Sequence, residues 1–361
     1  NRCKFYYFLY FFAIMNGRVE FMNIYGQTLE KLENYFENIG EKKFKATQVY
    51  DWLYKKKVSS FDEMTNIKKD VIVKLKEDFK IDKPQIIAKQ TGRDVYKYLF
   101  ELADGNKVEA VLMIHDYGIS LCVSTQVGCN MGCIFCESGR LKKVRNLETS
   151  EMVGQVMEVE RDSHLKITHI VIMGIGEPFD NYNNVMNFIK IINSGKGLEI
   201  GARHITVSTC GIVPKIRKFT DENLQVNLAI SLHAPNDELR SSIMKINKAY
   251  PLKDLMAAIK DYIDKTHRRV TFEYIMLKGI NDSDECAYEL AHLLKGLNCY
   301  VNLIPYNETS HINLEKTGEK ARMHFYDLLK KQGISVTIRK EFGGDVSAAC
   351  GQLRSNYEEV K

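Results

Sequence analysis

The chain has 361 residues, 45% of them hydrophobic and 27% charged, with a net charge of +5. Such a composition supports a full core and excludes a disordered chain, and the length suggests one large domain with a smaller one beside it. The charge is too small to indicate nucleic-acid binding by itself, though it leaves room for a local basic face. The nine cysteines are Cys3, Cys122, Cys129, Cys133, Cys136, Cys210, Cys286, Cys299 and Cys350. An odd count, with three packed into eight residues, does not read as a secreted disulfide framework. It fits a reducing cytoplasm in which thiolates hold a metal.

In chain order, Lys4 is followed by an apolar aromatic run from Phe5 to Met15. The run is too short to span a membrane and lacks a small-residue cleavage site. Residues 1–21 are therefore read as a leader outside the fold, with Met15 or Met22 as the initiator. From Asn23 to about Lys89 the pattern is helical: Leu29, Leu32, Tyr35 and Phe36, then Val49, Trp52 and Leu53, then Ile72, Leu75 and Phe79. Lysines flank these faces at 42, 43 and 45 and at 55–57, either as solvated helix faces or as contacts to an RNA backbone. Residues 22–94 are assigned to a small helical, RNA-binding accessory domain.

From Val95 the texture changes. Residues 96–102 and 108–114, separated by Asp104-Gly105, read as a β-hairpin. Apolar β-rich runs follow at 120–124, 167–173, 204–208, 226–232, 270–276, 300–304 and 334–338. Helical patterns alternate with them at 150–160, 185–192, 252–264, 285–294 and 321–331. This alternation predicts an α/β fold, a partial (β/α) barrel, over 95–361. Gly174-Ile175-Gly176-Glu177, Ser208-Thr209-Cys210-Gly211, Ser231-Leu232-His233 and Pro305-Tyr306-Asn307 all follow strands. The carboxyl ends of barrel strands build active sites, so these segments point to one shared pocket.

Cys129, Cys133 and Cys136, spaced Cys-x3-Cys-x2-Cys, lie on the loop after the first core strand. Three thiolates can hold three irons of a [4Fe–4S] cluster and leave the fourth iron open. An open iron can chelate S-adenosylmethionine (SAM), whose one-electron cleavage yields a 5′-deoxyadenosyl radical. A zinc knuckle would need a fourth ligand at local spacing, and none is present. The motif and the strand pattern together predict a radical SAM barrel.

The chain also resembles the radical SAM rRNA adenine carbon-2 methyltransferases and their carbon-8 relatives, from about Met22 to the end. The resemblance is carried by 122–129 (CVSTQVGC), 145–147 (RNL), 173–178 (MGIGEP), 231–237 (SLHAPND), 302–307 (NLIPYN) and 348–353 (AACGQL). It implies that Gly176, Glu177, Ser208, Ser231, Leu232, His233 and Asn307 contact SAM and that Glu109 is a general base. It further implies that Cys350 carries a methyl group from a first SAM. The radical from a second SAM activates that methyl group for addition to the adenine, and Cys122 resolves the resulting thioether by forming a disulfide. Read alone, Cys122 is a small core residue, Glu109 a solvated carboxylate and His233 a packed strand end, while Cys350 divides evenly between the two readings.

The implied partners are 23S rRNA, with tRNA left open, and an electron donor such as flavodoxin or ferredoxin. The expected protein is a cytoplasmic monomer with no membrane segment. The carbon-2 branch is favoured by Glu177-Pro178 and by 233–237. Phe342-Gly343-Gly344 and the short segment after Asn307 lean toward the carbon-8, antibiotic-resistance branch. A non-catalytic, cluster-holding RNA-binding paralogue is the alternative from another class. Glu137-Ser138 stands where the family has small residues, and Arg140 to Lys143 lack its Gly-Phe pattern. These departures bear on substrate choice more than on reaction class.

Overall fold

The computed structural model describes residues 21–309, 311–339, 353, 354 and 357. The first twenty residues and Cys350 lie outside the described residues, and with them nearly all of the leader expected over 1–21.

Three helices, α1 (Leu29–Asn38), α2 (Phe44–Tyr50) and α3 (Lys69–Asp78), form the N-terminal unit. A short parallel pair, Met22–Asn23 with Phe79–Lys80, joins its two ends. Its core holds Leu32, Phe36, Val49, Leu53 and Leu75. Tyr25, Tyr50 and Tyr54 are buried there, and each hydroxyl donates to a backbone carbonyl, as buried phenols require.

The lysine run at 55–57 ties the structure together. Lys57 pairs at 2.8 Å with the buried Glu160, and Lys55 pairs at 3.0 Å with Glu199, both in the core domain. Lys56 lies over the Trp52 ring. Lys57, whose partner is buried, ties the N-terminal unit to the core, while the exposed Lys55–Glu199 pair adds little.

Ten strands form one sheet: β1 (Gln85–Thr91), β2 (Val95–Glu101), β3 (Lys107–His115), β4 (Gly118–Val123), β5 (His169–Ile172), β6 (Ile205–Thr209), β7 (Asn227–Ser231), β8 (Val270–Met276), β9 (Cys299–Pro305) and β10 (Val336–Ile338). They lie side by side in sequence order. β1 to β4 form an antiparallel meander, and β4 to β10 run parallel. The order has two ends, so this is a partial barrel, as the alternation predicted.

Strand β1 lies inside the segment read as helical, and the sheet therefore begins before residue 94. Its Ile86-Ile87 pair and Thr91 suit a strand, and Pro84 blocks continuation of any helix.

The crossovers carry α4 (Thr149–Ser163), α5 (Tyr182–Asn193), α6 (Val213–Asp221), α7 (Asp237–Ile243), α8 (Leu252–Thr266), α9 (Asp284–Leu294) and α10 (Glu319–Lys331). The sequence reading missed α6 and α7. Along β8, Val270, Phe272, Tyr274 and Met276 are buried in the apolar core, while Glu273 and Ile275 line an inner cavity. Such period-two alternation puts packing on one face of a strand and chemistry on the other.

Candidate active site

The cavity lies at the carboxyl ends of the parallel strands and has a volume of about 320 Å³. Its lining includes Cys122, Cys129, Cys133, Cys136, Gly176, Glu177, Ser208, Ser231, His233 and Asn307. These residues, 185 positions apart from Cys122 to Asn307, share one chamber because each lies in the last residues of a neighbouring strand or on the loop that follows it.

The three-cysteine loop leaves β4 and is closed by a small antiparallel pair, Gln126–Val127 with Arg145–Asn146. Gly128 adopts φ +76°, and a Cβ there would lie 2.1 Å from the Lys142 carbonyl oxygen. Only glycine permits this turn without backbone movement. The Cys129 N–H donates to the Leu141 carbonyl at 2.9 Å, and the Ile134 N–H to the Ile243 carbonyl at 3.1 Å, so the loop is pinned on two sides. Gly132 also has positive φ, but its Cβ would meet only the flexible Lys245 side chain.

Cys129, Cys133 and Cys136 carry no disulfide. Burial pushes all three thiols up, Cys129 to about 12. Bare thiols in this setting stay protonated, and a bound metal centre would supply the positive charge that makes them thiolates. Among the described residues, no group of three or more His, Cys, Asp or Glu side chains converges as a single ion would need. Three neighbouring thiols on one loop leave a tetrahedral zinc shell a ligand short, whereas a four-iron cluster can be held by three.

The glycine loop after β5 packs against the start of the cysteine loop. A Cβ on Gly174 would lie 2.6 Å from the Val123 carbonyl oxygen, and one on Gly176 2.6 Å from Gln126 Cβ. The Glu177 N–H donates to Gln126 Oε1 at 2.9 Å. The Glu177 carboxylate accepts from Phe179 N–H (2.9 Å), Thr209 Oγ1 (2.7 Å) and Cys210 N–H (2.8 Å). Burial raises its carboxyl above the ordinary range even against these donors. Glu177 therefore locks the end of β5 to the end of β6 while lining the chamber.

Ser208 and Ser231 face each other across β6 and β7, with hydroxyl oxygens 3.4 Å apart. His233 adopts φ +59°, and its Nδ1 accepts the Ile275 N–H at 3.0 Å. Burial first, then the Arg240 charge, holds its imidazole down to about 3. It is thus neutral, with its proton on Nε2, and its ring lies edge-on to Phe135, 4.8 Å between centroids. Leu232 differs from its neighbours: its side chain is fully buried in the main core, away from the chamber, and only its backbone lies at the strand end.

Glu109 lies on the chamber side of β3 but is absent from the lining. Its Oε2 pairs with Lys97 Nζ at 3.2 Å, its Oε1 accepts the Arg354 N–H at 2.6 Å, and both members of the ion pair are at most 3% exposed.

Three residues unmarked by the sequence also shape the site. Lys97 lines the chamber. Glu273 lines it too, with Oε2 accepting from Asn302 Nδ2 at 2.8 Å. Arg240, fully buried, donates to the carbonyls of Leu232 (3.1 Å), Cys210 (2.7 Å) and Ser231 (3.2 Å), tying the ends of β6 and β7 together. Glu137 is buried beside Cys136, pairs with Arg140 and accepts from Thr309 Oγ1 at 3.4 Å. Glu137, Glu177 and Glu273 give the chamber three acidic side chains, set beside the cationic Lys97 and Arg339.

An open parallel barrel with three free thiols on the loop after its first parallel strand, and a carboxylate-lined chamber above, defines a radical SAM enzyme. Residues 22–81 match the ribosomal RNA large subunit methyltransferase N-terminal domain family, and residues 123–291 match the radical SAM superfamily. The probable dual-specificity RNA methyltransferase RlmN of Enterococcus faecalis is 57% identical over 351 residues, covering 94% of this chain and 98% of that protein. The protein of the same description from Thermoanaerobacter sp. strain X514 is 54% identical over 93% of this chain and 98% of its own length. The crystal structure of a radical SAM methyltransferase from Sphaerobacter thermophilus superposes with a TM-score of 0.86 at 41% identity, over 92% of this chain and 98% of that one. The chain belongs to the RlmN-type radical SAM RNA methyltransferase family. Its cofactors are a [4Fe–4S] cluster and SAM, two SAM molecules per turnover. Among the described residues, no helix is long and apolar enough to cross a membrane.

Proposed function

We propose that this enzyme methylates carbon 2 of an adenosine in 23S rRNA, and a tRNA adenosine as a second substrate, through a methyl group carried on Cys350. The observation that carries the reading is the presence of Cys122 in the same chamber as the three loop cysteines. A cluster-holding RNA binder has no use for such a thiol, whereas a covalent route needs one. The names of the relatives, dual-specificity RNA methyltransferases, support two RNA substrates.

In this reading Cys129, Cys133 and Cys136 hold the cluster. With SAM bound, the cluster supplies one-electron cleavage of the sulfonium and hence a 5′-deoxyadenosyl radical. Gly176 and the Ser208–Ser231 pair shape the SAM site, and Glu177, His233 and Asn307 present polar groups to it. Leu232 contributes its backbone, since its side chain points into the core. Carbon 2 of adenine is electron-poor and does not attack a sulfonium, but a thiolate does, so Cys350 takes the methyl first. After addition to the ring, the adduct radical gives up one electron, back to the oxidised cluster, and Glu109 then removes the ring proton. Cys122 then attacks the Cys350 sulfur: the sulfur–sulfur bond forms, the carbon–sulfur bond breaks, and the released carbon takes up a proton as methyl. A low-potential donor such as flavodoxin or ferredoxin supplies electrons. The N-terminal unit, residues 22–94 with the first strand, makes the RNA contact, and residues 95–361 carry the chemistry. The enzyme acts as a monomer in the cytoplasm, where its RNA is found.

The test is reconstituted holoenzyme with 23S rRNA, SAM and reductant, followed by nucleoside mass spectrometry. We expect 2-methyladenosine. 8-Methyladenosine would place the enzyme in the resistance branch, and no methylated adenosine would leave the RNA-binding paralogue.

A further inference from the structure

Lys97 is a lysine in the middle of an apolar strand, and it is almost fully buried. Strand register explains its company. Lys97 on β2 stands opposite Val111 on β3, which stands opposite Cys122 on β4. The three side chains form one cross-strand row facing the chamber, and all three line it. Glu109, two residues before Val111, points to the same face one step along, diagonal to Lys97. Lys97 therefore stands at the chamber wall, and Glu109 stands behind it.

Both oxygens of the Glu109 carboxylate are anchored, Oε2 by Lys97 and Oε1 by the Arg354 N–H, four residues beyond Cys350. A buried carboxylate is costly unless paired and hydrogen-bonded, and the direction of its oxygens is set by those partners. The Arg354 anchor belongs to the Cys350 segment. Lys97 is held within the rigid sheet.

We propose that Lys97 is a positioning residue for proton removal, holding the Glu109 carboxylate toward the Cys122 row, where the RNA adduct is resolved. This rests on the reading of Glu109 as the base. In that step the carbon 2–hydrogen bond breaks, its electron pair stays on the ring, and the proton ends on a Glu109 oxygen. Lys97 moves no proton itself.

The experiment follows RNA release from holoenzyme carrying the RNA–Cys350 adduct, read as nuclease-sensitive mass on the protein. Glu109→Gln should slow release more than any other single variant while leaving a measurable rate. Lys97→Met should slow release about tenfold or more, within the range a general base contributes. Lys97→Arg, which keeps the cation, should restore most of the rate. Because Lys97 acts through Glu109, the double variant Lys97→Met/Glu109→Gln should release RNA no more slowly than Glu109→Gln alone. Wild-type release from Lys97→Met overturns the proposal, as does an added defect in the double variant. Should Lys97→Met fail to load its cluster, the double variant, which leaves no unpaired buried charge in this pair, decides alone. If Glu109→Gln itself releases RNA normally, the reading of Glu109 as base fails first, and the role of Lys97 falls with it.

Discussion

At the scale of single residues, burial decides what each group at the site can do. His233 is the clearest case, because its imidazole is held down to about 3 from an ordinary 6.5. Protonation therefore favours the unfolded chain. The stabilising contribution is complete above pH 6.5 and is lost as pH falls from there toward 3, about 2 kcal/mol of it by pH 5. Denaturant titrations at pH 7 and pH 5 should show a smaller acid loss for His233→Asn than for the wild type. Equal losses would mean that His233 carries no such penalty. The sequence made His233 visible because it closes a Ser-Leu-His strand end. Lys97, Glu273 and Arg240 were not legible there. A lysine between two tyrosines reads as an outward-facing strand residue, and only the register across β2, β3 and β4 reveals its inward face. Arg240 lies on a short helix with too few turns to show a period, and its three carbonyl acceptors come from distant strand ends. The sequence reading singled out Leu232 with its neighbours because it lies between two chamber residues, but strand alternation turns its side chain to the core.

Among the elements, the cysteine loop depends on backbone conformations more than on side-chain packing. Gly128→Ala would force a Cβ against the Lys142 carbonyl in a left-handed turn, a clash no side-chain rotation relieves. At Gly132 the neighbour is the far end of Lys245, which can move aside, leaving a strain of about 1–2 kcal/mol. We therefore expect iron and sulfide analysis to find Gly128→Ala largely cluster-free and Gly132→Ala substantially loaded. Equal loading of the two would contradict the loop geometry. The elements that sequence alone made legible were those with a clear apolar pattern, such as α8 and the β-branched runs of the seven parallel strands. The misses have separate causes: β1 follows directly on a helical domain and pairs at the sheet edge, α7 is only seven residues long, and α6 carries Pro214 at its second position in a segment of mixed polarity. The lysine run at 55–57 has a composition common to RNA-facing helices and to domain docking, and its pairing with Glu160 and Glu199 is visible only in the fold.

For the whole molecule, the sheet brings the three-cysteine loop, the polar strand ends and Cys122 into one chamber, and the Arg354 N–H donates to Glu109 just behind the Lys97 side of that chamber. Under the proposed covalent route, the target base must be held there until the bridge between protein and RNA is cut. Reaching the chamber is easiest for a loop base that is already unpaired, since extruding a stacked one costs a few kcal/mol. The measurement that tests this account most directly is peptide mass spectrometry of Cys122→Ala and Cys350→Ala purified from cells. Cys122→Ala should carry RNase-sensitive nucleotide mass on the peptide containing Cys350, and Cys350→Ala should carry neither RNA nor methyl-cysteine. RNA-free Cys122→Ala that methylates at the normal rate, or Cys350→Ala that still methylates adenosine, would contradict it.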